Sequence, residues 1–250
     1  MEKPKLSRAR LDKILANSGY GSRKEVKALI KAGNITVSGK VIKDPGYLVD
    51  LDKELPAVDG EIVNYSRFHY LMMNKPAGVV SSTWDPNSKT VIDLLTPPYD
   101  KFDLFPAGRL DKDTEGLLLI TNDGQLAHNL LSPKKGVPKT YYAEVSGQVS
   151  PEDVQAFRQG IPLEEGFVTL PARLDILASG EISKAMVTVC EGKFHQVKRM
   201  FQALGKKVCY LKRISIGSLK LDEGLQPGTF RELTEKEVEA LNNLKTNRYL

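Results

Sequence analysis

Residues 107–133, AGRLDKDTEGLLLITNDGQLAHNLLSP, set a crowd of polar side chains directly against a wholly apolar run. Leu117-Leu118-Leu119-Ile120 shows no alternation, which fits a strand covered on both faces. Asn122-Asp123-Gly124 breaks the run and opens a helix that ends at Pro133. Working outward, apolar, strand-like stretches occur at residues 70–73, 104–110, 140–145, 185–190, 207–213 and 229–233. Asn74-Lys75-Pro76 closes the first of these. Ser150-Pro151-Glu152-Asp153 reads as a helix start with proline in the first turn. Residues 195–204 read as a helix with Val197, Met200, Phe201 and Leu204 inward and Gly205 at its end. Thr234 and Glu237 cap a last helix. Strands and helices mix without regular βαβ repetition, so the expected class is α+β.

The N-terminal segment reads differently. Residues 1–43 carry eleven basic side chains, Lys3 and Lys5 among them, against Glu2, Asp12 and Glu25. That excess of eight exceeds the +5 of the whole chain, so the remainder is slightly acidic. Leu11, Ile14 and Leu15 form one helical stripe that Gly19 can end. Ser22 and Glu25 have capping-box spacing ahead of Val26, Leu29 and Ile30, and Gly33 stops that helix. ITVSGKVI alternates like a hairpin turning at Ser38-Gly39. The basic residues fall off the apolar stripe, on a solvated face that is either simply soluble or anion-binding.

Composition narrows the class. At 41% hydrophobic and 27% charged the chain is ordinary globular material. No run approaches the ~18 apolar residues of a membrane span, and MEKPKLSRARLDK lacks the apolar stretch of a secretory leader. Cys190 and Cys209 could form one bridge but not a disulfide framework, and buried free thiols in a reducing cytoplasm are the expected state. Three scattered histidines, His69, His128 and His195, do not make a zinc site with them. A pI of about 9.0 is compatible with a polyanionic partner.

Taken alone, Gly108-Arg109-Leu110-Asp111-Lys112-Asp113-Thr114-Glu115-Gly116 reads most simply as a charged surface turn with local ion pairs. Asp111, Asp113 and Glu115 mimic the start of a calcium loop, but its last ligand position falls on Asn122 and strands replace the flanking helices. No Gly-Lys-Ser/Thr follows, so a phosphate-binding loop is unsupported.

The same stretch closely resembles the central motif of the RsuA-type ribosomal small-subunit (16S) rRNA pseudouridine synthases. The likeness continues through MNKPAGVVSST, Lys139-Thr140-Tyr141, EGKFHQVKRMF (residues 191–201) and Arg213-Ile214-Ser215-Ile216-Gly217. RLDKILANSGYGSRKEVKALIKAGNITVSGK (residues 10–40) resembles an S4 RNA-binding domain. The resemblance implies an S4 domain over residues 1–60, a linker at 61–66 and a pseudouridine synthase domain over 67–245. Its fold would be α+β, with a mixed, largely antiparallel central sheet flanked by helices and crossed by a cleft.

That family's chemistry breaks the bond from ribose C1′ to uracil N1, turns the base and rejoins it through C5. It needs no cofactor and no metal. The resemblance makes Asp111 the catalytic carboxylate. Lys198 would hold and aim it, with Arg199 as the competing neighbour. Tyr141 would stack on the uracil; a phenol is a poor base at neutral pH, so a part in C5 proton transfer is the weaker half of that role. Tyr142, one residue on, faces the other way and is the expected core residue. Val197 is the floor of the base pocket or simply helix core. Arg109 would fill the gap left when the uridine leaves its stack. His195 is expected to be a structural support. Arg10, Arg23, Lys24 and Lys27 would lie on the RNA.

The implied substrate is uridine 516 of small-subunit rRNA, met in a 30S particle or its assembly intermediate by a monomeric enzyme. The alternatives are the same chemistry on 23S rRNA, or a non-catalytic S4-type ribosome-assembly factor. A glycosidase-like hydrolase would need Asp113 or Glu115 as a second carboxylate.

Overall fold

The computed structural model describes residues 8–63, 65–163 and 166–244, and Lys3 and Lys5 lie outside them. The chain forms two compact units, Met1–His69 with Leu95–Leu104, and Tyr70–Leu94 with Phe105–Leu250.

The first unit begins with β1 (Ala9–Arg10), α1 (Leu11–Asn17) and α2 (Arg23–Ala32). Leu11, Ile14 and Leu15 of α1 meet Val26 and Ile30 of α2, all with no exposed surface. The Ser22 hydroxyl accepts from the Glu25 N–H and the Glu25 carboxylate accepts from the Ser22 N–H, the expected capping box. Gly33 ends α2 at φ +90°, a left-handed turn that glycine adopts without strain. A four-stranded sheet follows, from β2 (Ile35–Val37), β3 (Lys40–Val41), β5 (Pro56–Val58) and β6 (Glu61–Ile62), in the order β3-β2-β5-β6. Ser38-Gly39 turns the hairpin as expected. Between its strands lies β4 (Leu48–Val49), which pairs with β1. Arg23, Lys24 and Lys27 are exposed on α2, away from its buried stripe. Leu95–Leu104 is distant in sequence yet belongs here, because Phe102 stacks on His69 at 4.1 Å and Tyr99 meets both rings edge-on.

The second unit is built on a nine-stranded sheet. Its strands are β7 (Tyr70–Lys75), β8 (Phe105–Pro106), β9 (Glu115–Thr121), β10 (Lys139–Ser146), β11 (Arg173–Ala178), β12 (Ile182–Val189), β13 (Lys207–Ile216), β14 (Leu219–Lys220) and β15 (Phe230–Glu232). The order is β11-β12-β10-β13-β9-β7-β15, with β14 beside β13 and β8 beside β9. Every ladder between these strands is antiparallel except β9–β13, so the sheet is mixed and largely antiparallel. The helices are α3 (Gly124–Leu131), α4 (Pro151–Gln159), α5 (Gln196–Ala203) and α6 (Glu235–Asn242). Each starts at a residue the sequence marks: Asp123, Ser150 and Thr234 cap three of them and His195 the fourth.

Leu117 to Ile120 have no exposed surface. The strand is central, paired on both edges and covered on both faces, which is why it shows no alternation. The strand expected at 104–110 shrinks to β8, because Gly108 at φ +90° turns the chain out of the sheet. Strand β11 is an addition that the sequence reading does not contain.

Candidate active site

The turn before β9 is held from inside. Lys75, at the end of β7, has no exposed surface. Its ammonium donates to the carbonyl oxygens of Thr114 (2.8 Å), Asp111 (3.0 Å), Pro76 (3.1 Å) and Lys112 (3.3 Å). Burial pushes this amine down to about 8, against the pull of Asp113 and Asp111. The Thr114 N–H closes the turn onto the Asp111 carbonyl at 3.0 Å. Next to it, the Leu110 N–H meets the Ser81 hydroxyl at 3.1 Å, and Leu110 is buried. A charged surface loop is thus clamped at its backbone, which fixes the direction in which Asp111 projects.

Side chains then converge on Asp111. Lys198, on the first turn of α5, lies 3.2 Å from Asp111 Oδ2 and 2.6 Å from Asp113 Oδ1. Lys198 thus faces both carboxylates. The hydrogen bond from Lys198 holds the Asp113 carboxyl below the usual range. His195 Nε2 lies 3.5 Å from Asp111 Oδ1. The start of α5 is pinned by buried Gln196, which donates to Glu191 Oε1 at 2.7 Å and accepts from the Lys193 N–H at 2.9 Å. Val197, Met200 and Phe201 anchor the helix in the core, so Lys198 is left facing the turn.

The sheet register brings up the rest. Arg213 of β13 lies opposite Gly116 of β9 on one side and Tyr141 of β10 on the other. Gly116 sits at φ +100°, and a Cβ there would land on the Arg213 carbonyl oxygen, so only glycine allows this approach. Tyr141 therefore stands two strands from the head of β9. It shares a face with Lys139, Ala143 and Val145 and packs on the core. This corrects the expectation for Tyr142, whose ring instead meets Tyr210 edge-on and whose hydroxyl donates to Glu144. Strand alternation explains it: residues 141, 143 and 145 share the face that packs with Phe157 of α4 and Val197, Met200 and Phe201 of α5.

Asp111, Tyr141, Arg109, His195, Lys139 and Arg213 line one cleft of about 650 Å³. A smaller recess of about 70 Å³ is bounded by Asp111, Tyr141, Val197 and Leu211. Arg109 is exposed at the cleft, and Val197 is 4% exposed at the recess. Lys139 and Arg213 are both buried, and burial together with Arg213 brings the Lys139 amine down to about 8. Among the described residues no cluster of three or more His, Cys, Asp or Glu could hold a metal ion. In the first unit Arg10 forms two hydrogen bonds with buried Asp12, at 2.9 and 3.0 Å.

The sequence does not reveal the role of Lys75, and it leaves His195, expected as a structural support, without its 3.5 Å approach to Asp111. The signal for Lys75 was its position: an amine closing an apolar strand ahead of proline. Nothing in the sequence says that four carbonyls surround it. His195 was legible as a helix start, but its ring direction follows from φ +50°, a left-handed backbone that the sequence does not reveal.

Comparison with known proteins adds independent findings. Residues 69–203 match the family model for RNA pseudouridylate synthase, and residues 9–55 match the S4 domain. An uncharacterized RNA pseudouridine synthase of Bacillus subtilis, YtzG, is 55% identical over 93% of this chain and 98% of its own length. The ribosomal small subunit pseudouridine synthase A of Vibrio cholerae is 43% identical over 93% of this chain and 99% of its own. A crystal structure of a pseudouridylate synthase superposes with a TM-score of 0.65 at 36% identity, covering 93% of this chain and 99% of that one.

Proposed function

The chain belongs to the RNA pseudouridylate synthase family, with an S4 domain at its N-terminal side, and from that premise we propose that it converts one uridine of small-subunit rRNA to pseudouridine through Asp111. The observation that carries this reading is the ion pair of Asp111 with Lys198 at 3.2 Å, on the wall of a cleft that Tyr141 also lines. The reaction breaks C1′–N1 and makes C1′–C5. The C5 proton is lost and N1 gains one, so atoms and charge balance without an added reagent.

Asp111 supplies the carboxylate beside the reacting ribose, and Lys198 keeps it in place. Tyr141 offers a flat face for the uracil and Val197 an apolar wall. Arg109 occupies the space the uridine leaves in the RNA. Arg199, and in the S4 domain Arg23, Lys24 and Lys27, contact phosphates. Arg10 acts through its fork with Asp12, which presents the guanidinium in one orientation. The small subunit is chosen because relatives at 39–43% identity carry that name. Uridine 516 is the target the sequence resemblance implies. The enzyme acts in the cytoplasm as a monomer, on a 30S particle or its precursor.

The test uses rRNA transcripts carrying uridine tritiated at C5. Wild-type protein releases tritium, and mapping finds the new pseudouridine in 16S rRNA. Asp111→Asn binds the RNA but loses turnover by on the order of 10⁴-fold. Retained turnover would sink the role of Asp111. A modified site in 23S rRNA would move the substrate to the large subunit. No release from either RNA would leave an S4-type binding factor.

A further inference from the structure

One large apolar side chain at the cleft has no use in the account above. Phe194 is 67% exposed, and it lines the same cleft as Asp111 and Tyr141. Isolated exposed hydrophobics are common and need no explanation. This ring is not isolated. It stacks on the His195 ring with centroids 3.8 Å apart and planes 17° from parallel. His195 in turn reaches to 3.5 Å from Asp111 Oδ1 and is held at φ +50°, a conformation that costs a non-glycine residue energy. One face of Phe194 is therefore backed by an imidazole in fixed orientation, and the other is open.

The surroundings favour a particular occupant. Arg109, Lys112 and Lys193 line the same cleft. An open aromatic face beside several cations is the arrangement by which proteins hold single-stranded nucleic acid: cations take the phosphates and the ring takes a base. When a uridine enters the cleft toward Asp111, its chain neighbours must pass the rim, unstacked on the side the target has left. A base in that state gains most from a new stacking partner.

We propose that Phe194 is a base-stacking platform for the nucleotide adjacent to the target uridine, and that the Phe194–His195 stack fixes where the RNA strand lies relative to Asp111. Phe194 is thus a positioning and specificity residue, not a catalytic one. The stacking is tolerant of base identity, with purines gaining most because their rings are larger. This rests on the isomerase reading for where the target enters.

The experiment places 2-aminopurine, whose fluorescence is quenched by stacking, at the position on either side of the target uridine in a 16S rRNA fragment. Wild-type protein and Phe194→Trp change the probe's fluorescence on binding at one of the two positions. Phe194→Ala loses that change and binds roughly 5- to 100-fold more weakly. In the same variant KM rises while kcat on saturating RNA falls less. Because Phe194 is exposed, a circular dichroism melt of Phe194→Ala matching wild type excludes misfolding. An Ala variant with unchanged fluorescence response and affinity overturns the proposal, whether the ring contacts a protein partner or nothing. So does a fall in kcat alone with affinity intact, which would make Phe194 only a brace for His195. Tritium release by the wild-type protein on the same fragment reports separately on the isomerase reading.

Discussion

At the residue scale, Lys198 shows how much hangs on one amine. It serves Asp111 and Asp113 together, and the shorter contact is to the more exposed Asp113. Lys198→Met removes the ion pair with Asp111 along with the hydrogen bond to Asp113. With a charged contact worth about 1.5–3 kcal/mol, turnover should fall roughly 10- to 150-fold with RNA affinity nearly kept. Lys198→Arg should recover most of the loss, since a guanidinium can span both carboxylates. Steady-state kinetics of the two variants checks this; equal losses would mean that the charge is not what Asp111 uses. Asp111, Lys198 and Tyr141 are legible through the family resemblance, since residue type and spacing alone leave the 108–116 stretch a charged surface turn. The structure sets Lys198 3.2 Å from Asp111 and Tyr141 on the same cleft. The sequence did not make Lys75 legible, because a buried lysine and a surface lysine are written identically.

At the element scale, strand β9 was readable and its neighbour was not. Four apolar residues in succession announce a strand buried on both faces, whatever pairs with it. That β13 runs parallel to it, with Arg213 opposite Gly116, is set by residues nearly a hundred positions apart. Gly116→Ala should force those two strands apart. A Cβ there meets backbone, which cannot rotate away, and the φ is left-handed. A loss of about 2–4 kcal/mol is expected, a fall in melting temperature of roughly 5–15 °C. A melt within 2 °C of wild type would show that the strands can separate cheaply. In the S4 domain, α2 was read correctly from its caps, and its outer face carries Arg23, Lys24 and Lys27. Changing all three to Gln should lower the slope of log affinity against log salt by about 2–3, with the fold intact. An unchanged slope would remove α2 from the RNA interface. Deleting residues 1–60 is a poorer test, because it uncovers Phe102, whose ring lies against Gly19.

At the scale of the whole molecule, buried amines couple acidity to both stability and activity, in opposite directions. Lys75 and Lys139 titrate at about 8 in the folded protein and near 10.5 when unfolded. Between those values the unfolded chain binds more protons, so the contribution of these two groups to stability rises with pH. Below about 8 both are charged in either state and the cost of burying them is fully present. Activity runs the other way. Once Lys75 loses its proton it donates less strongly to the carbonyls of Asp111 and Thr114, and the turn loosens. Turnover should therefore decline above pH 8 without a matching drop in melting temperature. Parallel kinetic and thermal profiles from pH 7 to 9.5 test this; turnover flat to 9.5 would separate Lys75 from the reaction.

The parallel pairing of β9 with β13 also sets a clock. A ribosome that has just made Thr121 must add the chain up to Lys207 before the strand on that edge exists. At about 5–20 residues per second this takes several seconds or more. Through that interval β9 can pair with β7 and β8, both already made, while its edge at Glu115 and Gly116 waits for β13. Helix α5, with Lys198, is also synthesised only in that interval. A nascent chain that already carries its S4 domain and Asp111 thus lacks both the amine that pairs with Asp111 and the strand beside Gly116 until residues 196–216 dock.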